Sequence, residues 1–250
     1  MLFCTLLLSG CGGHVAPVSD RSLNSAAPAS VSRSYPQPPP SGSYRVKPGD
    51  TLYSIAWRYR KDYRTLAKAN GIGSNYRIYT GQLIRLNSTA KPKPASSNKT
   101  SIKQNTAKSS SVAAVTKTKT TSHVSSGPIK WRWPAKGRVI QGFSSTGKLN
   151  KGLNIAGNRG DSVYSAAIGV VVYAGNGLLG YGNLIIINHN DSFLSAYAHN
   201  HRLLVKEQDT VKSGQKIAEI GNSGAAQTML HFEIRKEGKP VDPSRYLPRR

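Results

Sequence analysis

The chain has 250 residues, of which 35 are Lys or Arg and only 11 are Asp or Glu, giving a formal net charge of +24. Such a charge favours a polyanionic partner, and nucleic acid, an anionic membrane surface and the acidic cell wall all qualify. No acidic residue occurs between Asp62 and Asp161, and long stretches are dominated by Ser, Pro, Lys and Thr. This unevenness excludes a single continuous globular fold.

The N-terminus resembles the end of a bacterial lipoprotein signal. A short apolar run ends in Leu8-Ser9-Gly10-Cys11, and it is much shorter than the roughly 20 apolar residues that span a bilayer. The resemblance to a lipobox implies that Cys11 is lipidated and becomes the first mature residue. Gly12 follows where an Asp would favour the inner membrane, which implies the periplasmic face of a Gram-negative outer membrane. Residues 1–11 are therefore predicted to be the signal.

Two stretches are too polar to fold by themselves. Residues 12–43 are rich in Ser, Pro and Ala, and residues 88–129 in Lys, Thr, Ser and Ala. Their few large apolar side chains cannot offset the entropy lost on ordering. We predict a disordered tether and a disordered, self-repelling linker. Nucleic-acid binding by the lysines of the linker is the alternative, but the export signal leads us to predict no nucleic-acid partner.

Residues 44–87 form a compact module between these stretches. A strand-like segment, 44–46, precedes a turn and a helix that Thr51 can cap. A second helix follows, Asn70-Gly71 ends it, and residues 81–86 read as a closing strand. This βααβ order, with Val46-Lys47-Pro48-Gly49-Asp50-Thr51-Leu52 at its front, resembles the LysM domain.

The resemblance to LysM implies binding of N-acetylglucosamine-containing glycans, in bacteria usually peptidoglycan. The candidate glycan-binding residues are Gly49, Asp50, Thr51, Leu52, Asn70, Ile78 and Tyr79. They belong to two loops that can offer backbone donors and apolar area to the acetyl groups. A turn or cap role is an equally good interpretation of each of them.

Residues 130–250 contain short apolar runs separated by turn residues. The strand-like runs are 170–173, 184–187, 193–199, 216–220 and 230–234. They predict a mainly antiparallel β domain. Tyr197-Ala198-His199 and Leu230-His231-Phe232-Glu233 resemble the LytM or lysostaphin family of zinc metallopeptidases, which cut peptidoglycan crossbridges and have a fold of the duplicated-hybrid-motif type.

The metal-binding positions implied by that family are not preserved. Its His-x-x-x-Asp segment corresponds to Asn150-Lys151-Gly152-Leu153-Asn154, so that both ligand positions, Asn150 and Asn154, are amides. In its His-x-His strand the first position is Met229, and only His231 and His199 remain. Catalytic zinc normally needs three imidazole, thiolate or carboxylate ligands. We therefore predict no metal, no cofactor, no catalytic residues and no hydrolysis.

One further histidine, His201, could rebuild a metal site together with His199 and His231. His201 would share a strand face with His199 if the strand continued, but we expect His201 to lie beyond the strand end. His189 precedes a turn, and we expect it at the surface.

The strands should nevertheless keep the groove of the family. Met229, His231, Glu233 and Arg235 share one strand face, and Tyr197 and His199 lie on another strand. The predicted partner-binding groove consists of Asn150, Asn154, Tyr197, His199, Met229 and His231. Each of these residues could also be a relic without a role.

The whole arrangement resembles the NlpD-type lipoproteins. This implies a non-catalytic activator of a periplasmic N-acetylmuramoyl-L-alanine amidase that splits septal wall, held to the outer membrane by its lipid. The alternatives are an active endopeptidase with an unusual metal site and a passive tether between wall and membrane.

Overall fold

The computed structural model describes residues 39, 41–87, 128–146 and 150–250. The predicted lipidation site Cys11, nearly all of the predicted tether and nearly all of the predicted linker lie outside these ranges. Within them, no helix is both long and apolar enough to cross a membrane.

The N-terminal module has the predicted βααβ order. It comprises β1 (Ser43–Arg45), α1 (Leu52–Arg58), α2 (Tyr63–Ala69) and β2 (Leu83–Arg85), with β1 and β2 antiparallel. Thr51 caps α1 in a reciprocal capping box with Ser54. Asp62 caps α2 by accepting a hydrogen bond from the Thr65 amide at 2.8 Å. The local sequence signals therefore set both helix starts.

The C-terminal domain is a ten-stranded antiparallel sheet with one 3-10 turn. Its strands are β3 (Val139–Gln141), β4 (Leu153–Ala156), β5 (Ser162–Tyr164), β6 (Gly169–Gly175), β7 (Asn183–Asn188), β8 (Phe193–Leu203), β9 (Thr210–Val211), β10 (Lys216–Ile220), β11 (Met229–Lys236) and β12 (Lys239–Val241). The main path is β3-β4-β11-β8-β7-β6-β9, with β10 pairing β5 and β8, and β12 pairing β11. The predicted fold class, a small βααβ module plus a mainly antiparallel β domain, is confirmed.

The central strands are buried on both faces. On β11, Leu230, Phe232 and Ile234 point into the core of the C-terminal domain, as predicted. On β8, Ala196 and Ala198 point to the opposite face, which we call the groove side because it also carries His231.

The LysM module packs against the groove side of the sheet. One apolar cluster joins residues of α1 and α2 to residues of β6, β7 and β8, among them Ile55, Trp57, Tyr173, Ile186 and Ala196. Helix α1 also contacts β6. The second apolar face of the sheet is therefore covered by the other module of the same chain.

Candidate partner-binding groove

The centre of the site is a pair of side chains on neighbouring strands. His231 on β11 lies opposite Asn154 on β4 in the antiparallel register. Its Nδ1 is 2.7 Å from Asn154 Oδ1. The Asn154 amide nitrogen in turn donates to Gln141 Oε1 at 2.8 Å. The imidazole is thus engaged by a neutral amide at the position where the zinc peptidases are expected to have a carboxylate.

Asn150 holds the backbone around it. Its amide nitrogen lies 2.8 Å from the carbonyl oxygen of Gly142 and 3.0 Å from that of Gly152. The side chain is buried, and its donors are used by carbonyl groups of the surrounding loop. Asn150 therefore acts as a structural clamp beside Asn154, because both contact the Gln141 segment.

His199 is brought to the groove by an irregularity in β8. Its φ is 65°, in the left-handed region that non-glycine residues rarely adopt. The ring centroid lies 6.0 Å from that of His231, and Nδ1 is 2.8 Å from the Ser223 carbonyl oxygen. The strained backbone turns this side chain towards His231 rather than into the core, and such strain is concentrated at functional sites.

Met229 completes the set at the start of β11. The side chain is 8% exposed, and its sulfur lies 3.7 Å from the Gln227 amide nitrogen. The structure thus brings together four of the six predicted groove residues, Asn154, His199, Met229 and His231, with Asn150 clamping the adjoining loop.

Tyr197 is the exception, and its assignment to the groove is wrong. The side chain is fully buried in the core of the C-terminal domain on the other face of β8. Its hydroxyl accepts hydrogen bonds from the Ala166 amide at 2.8 Å and from Ser195 at 2.9 Å. Strand alternation places Tyr197 and Ala198 on opposite faces. The prediction placed Tyr197 and His199 on the same face, whereas the left-handed backbone of His199 takes that side chain out of the alternation.

The two other histidines also differ from expectation. His189 is buried rather than at the surface, with Nδ1 2.7 Å from the Ile168 carbonyl oxygen and Nε2 2.7 Å from Ser195 Oγ. His201 lies within β8, not beyond its end. It is exposed, and its Nδ1 is 3.1 Å from an Arg159 nitrogen.

A buried ion pair next to His231 was not predicted. Glu233 Oε1 lies 3.1 Å from His231 Nε2, and Glu233 Oε2 accepts a hydrogen bond from Arg235 Nε at 3.0 Å. Burial alone would raise the pKa of Glu233, but Arg235, His231 and the hydroxyl of Tyr181 together lower it to about 2. The sequence placed Glu233 and Arg235 on the groove side, and opposite charges two residues apart on one strand face were the available signal.

The candidate glycan-binding residues divide into structural and exposed positions. The structural ones cap or pack: Thr51 caps α1, Leu52 is in the core, and Asn70 bonds to the backbone of Arg85 in both directions. Asp50 forms an ion pair with Arg58 at 3.3 Å.

The remaining three are more open. Tyr79 is 66% exposed, Ile78 is half-buried and Gly49 is exposed. Gly49 and Asp50 line a cavity of about 700 Å³ together with residues 173–177 of the C-terminal domain.

Two family models match the chain, and close relatives match nearly all of it. The LysM domain model matches residues 44–87, and the model of Peptidase family M23 matches residues 148–243. A lipoprotein NlpD/LppB homolog from Pseudomonas aeruginosa is 44% identical over 99% of this chain and 90% of its own. The chain belongs to the NlpD lipoprotein family.

Other members of the NlpD family bear names that point to the cell wall and envelope. The murein hydrolase activator NlpD of Escherichia coli is 40% identical over 84% of this chain and 69% of its own. The outer membrane antigenic lipoprotein B of Haemophilus influenzae is 43% identical over 83% of this chain and 64% of its own. The family therefore includes proteins named as murein hydrolase activators and as outer membrane lipoproteins.

The zinc implied by the M23 likeness does not fit the residues present. Zinc sites are built from imidazole, thiolate and carboxylate donors. Here His231 faces the amide of Asn154, and the amide nitrogen of Asn150 donates hydrogen bonds to backbone carbonyl groups. Within the described ranges, no three His, Cys, Asp or Glu side chains are grouped as a metal would require.

Proposed function

We propose that this lipoprotein binds peptidoglycan through its LysM module and activates a periplasmic N-acetylmuramoyl-L-alanine amidase through the groove of its C-terminal domain. A lipid on Cys11 holds it at the periplasmic face of the outer membrane. Activation promotes splitting of septal wall and separation of daughter cells. The names of the relatives, murein hydrolase activators among them, support an activator role.

The pairing of His231 with Asn154 is the observation that carries this proposal. An amide in place of a carboxylate supplies no negative charge for a metal, and without a metal nothing lowers the pKa of an attacking water towards 7. The groove therefore does not hydrolyse peptide crossbridges. What remains is a set of fixed polar side chains with neighbouring protein surface around them, and such an arrangement suits the binding of a protein segment.

The activator acts by shifting the conformational balance of the amidase. A groove that binds the open amidase more tightly than the closed form raises the open population without catalysing any step. Moving the balance from 1:99 to 99:1 requires about 5.5 kcal/mol of differential affinity. A standard protein interface supplies that much.

Release of dye from labelled peptidoglycan tests this proposal. The cognate amidase alone should release little, the chain alone should release none, and both together should release dye at least about 10-fold faster. The matched variants are His231→Ala in the groove and Arg159→Ala on the exposed surface, and only the first should reduce stimulation. Dye release by the amidase at the same rate with and without the chain would refute activation and favour the passive tether.

The endopeptidase alternative has its own measurement. Zymography on peptidoglycan with the purified chain, with and without added zinc, should show no cleared band. A zinc-dependent band that His231→Ala abolishes would show that the protein is an endopeptidase rather than a non-catalytic activator.

A further inference from the structure

Trp57 of the LysM module contacts a buried arginine on the groove side of the C-terminal sheet. The guanidinium carbon of Arg235 lies 3.4 Å from the ring centroid of Trp57, and Arg235 Nη1 donates to the Trp57 carbonyl oxygen at 2.9 Å. Arg235 is fully buried. Cation–π contacts shielded from water are among the stronger interactions of this type. We call this contact the Trp57–Arg235 latch.

The latch is connected to the groove through Glu233 and Tyr181. Arg235 donates to Glu233, Glu233 Oε1 lies 3.1 Å from His231, and the Tyr181 hydroxyl donates to the same oxygen at 2.8 Å. Trp57 also meets the Tyr181 ring edge-on, with centroids 6.3 Å apart. Tyr181 therefore contacts both Trp57 of the latch and the Glu233 carboxylate that pairs with His231.

The rim of the contact is weak compared with its centre. Arg58 donates to the Gly177 carbonyl oxygen at 3.3 Å, and Asn188 donates to the Tyr63 hydroxyl at 3.4 Å. An ion pair at 3.6 Å joins Arg64 to an exposed carboxylate on the loop after β7. Exposed pairs of this kind contribute little, so that the docked arrangement depends on the apolar cluster and the latch, and interfaces between domains of one chain are commonly reversible.

We propose that the LysM module is a removable cover of the surface next to the groove, held by the Trp57–Arg235 latch, and that an amidase binds the groove only when the module is undocked. This inference rests on the proposed function and adds its regulation. In addition to wall glycan, the LysM module thereby has a second binding partner, which is the groove side of the C-terminal domain of the same chain.

The size of a protein interface supports competition between cover and amidase. A specific interface takes roughly 800 Å² from each partner, some 20–30 residues. The groove residues themselves are almost closed to solvent, with Asn154 7% and His199 1% exposed. A partner must therefore cover neighbouring surface as well, and on the side of Tyr181 and Arg235 that surface is already occupied by α1.

A reversible crosslink can lock the cover. In the full chain, Cys4→Ser and Cys11→Ser remove the natural thiols, and Arg64→Cys with Asp191→Cys places a thiol on each side of the rim. A short bis-maleimide with a reducible bond then joins the two modules. The matched controls are the two single-cysteine variants, treated in the same way.

The docked arrangement predicts efficient crosslinking within one chain. The crosslinked protein should stimulate the amidase at least about 10-fold less than the untreated protein, and reduction of the crosslink should restore stimulation. Single-cysteine controls should be unaffected. Absence of crosslinking within the chain, or full stimulation by the locked protein, would overturn the inference alone. Failure of locked and reduced forms alike to stimulate would overturn the proposed function and the gating with it.

Weakening the latch should have the opposite effect. Trp57→Leu keeps an apolar side chain but removes the cation–π contact, and at limiting concentration it should stimulate the amidase about 10-fold more. Leu83→Ala, at an exposed position of the same module, should change nothing. Retained binding to uncharged N-acetylglucosamine oligomers shows that the Trp57→Leu module is folded, and unchanged or lower stimulation by such a protein contradicts the latch.

Discussion

Side chains in the groove are fixed by hydrogen bonds to one another. Asn154 joins His231 to Gln141, and Glu233 joins His231 to Arg235, all through hydrogen bonds of 2.7–3.1 Å. Buried polar groups are costly when one partner is lost, because the desolvated remainder cannot find water. The network therefore fixes the groove side chains and makes them sensitive to substitution.

Removal of the Glu233 carboxylate should strongly destabilise the C-terminal domain. Glu233→Ala leaves the charge of Arg235 buried without its carboxylate, and we expect the free energy of unfolding to fall by about 3–5 kcal/mol. Urea denaturation followed by circular dichroism measures this change. Glu219→Ala is the matched control, because Glu219 pairs with Arg202 and Lys216 at the surface, and its unfolding midpoint should stay where it is. Equal effects of the two would contradict the prediction.

His189 should make stability depend on pH. Burial lowers the pKa of His189 to about 4, although its hydrogen bond to the Ile168 carbonyl opposes the shift. In the unfolded chain the pKa is about 6.5, so the unfolded state takes up a proton that the folded state does not. Stability from this group is complete above pH of about 6.5 and declines towards about 4, by up to about 1.4 kcal/mol per pH unit.

Denaturation at several pH values checks the histidine. Subtracting the profile of His189→Gln from that of the natural chain cancels the other titrating groups. The difference should slope across this window, and a flat difference would show that folding leaves the pKa of His189 unchanged.

At the scale of elements, the start of β7 and the middle of β8 are shaped by close backbone approaches. The φ values of Gly182 and Gly224 are 59° and 64°, and each packs against the other's loop. The Ser223 hydroxyl accepts from the Asn183 amide at 2.9 Å, and the Ser223 carbonyl contacts His199. The loop pair thus positions the irregular part of β8 that turns His199 to the groove.

Gly182→Ala should disturb this loop pair. A Cβ at this position overlaps the Ser223 backbone carbonyl, and the positive φ alone costs about 1–2 kcal/mol for an L residue. We expect a lower melting temperature and faster amide exchange in β8 around His199. Gly142→Ala is the matched control, because its Cβ meets open space at ordinary φ. A Gly182→Ala protein as stable as the control would show that the loops separate freely.

At the scale of the whole molecule, the apolar groove side of the sheet and the large positive charge act together. The groove side is covered from within the chain, which keeps a wide apolar surface from solvent. The net charge of +24 attracts the chain to the anionic wall without specifying a site. Wall affinity should therefore have a charge-dependent and a glycan-dependent part.

Salt should separate these two parts. Between about 0.1 M and 1 M salt the screening length falls from about 10 Å to about 3 Å. Sedimentation with sacculi should weaken several-fold over this range, whereas binding to uncharged N-acetylglucosamine oligomers should not change. The uncharged oligomers are the control, and sacculus binding indifferent to salt would mean that the charge plays no part.

The sequence by itself determined both modules, the cap of α1 and the presence of amides at 150 and 154, because caps, strand alternation and residue identity are local properties. It also placed His231, Glu233 and Arg235 on one face of a strand. Only the tertiary structure decided that Tyr197 points to the core, that His189 is buried and that the Glu233–Arg235 pair is closed by Trp57. These depend on a left-handed backbone at His199 and on contacts between residues far apart in the chain, which no local pattern records.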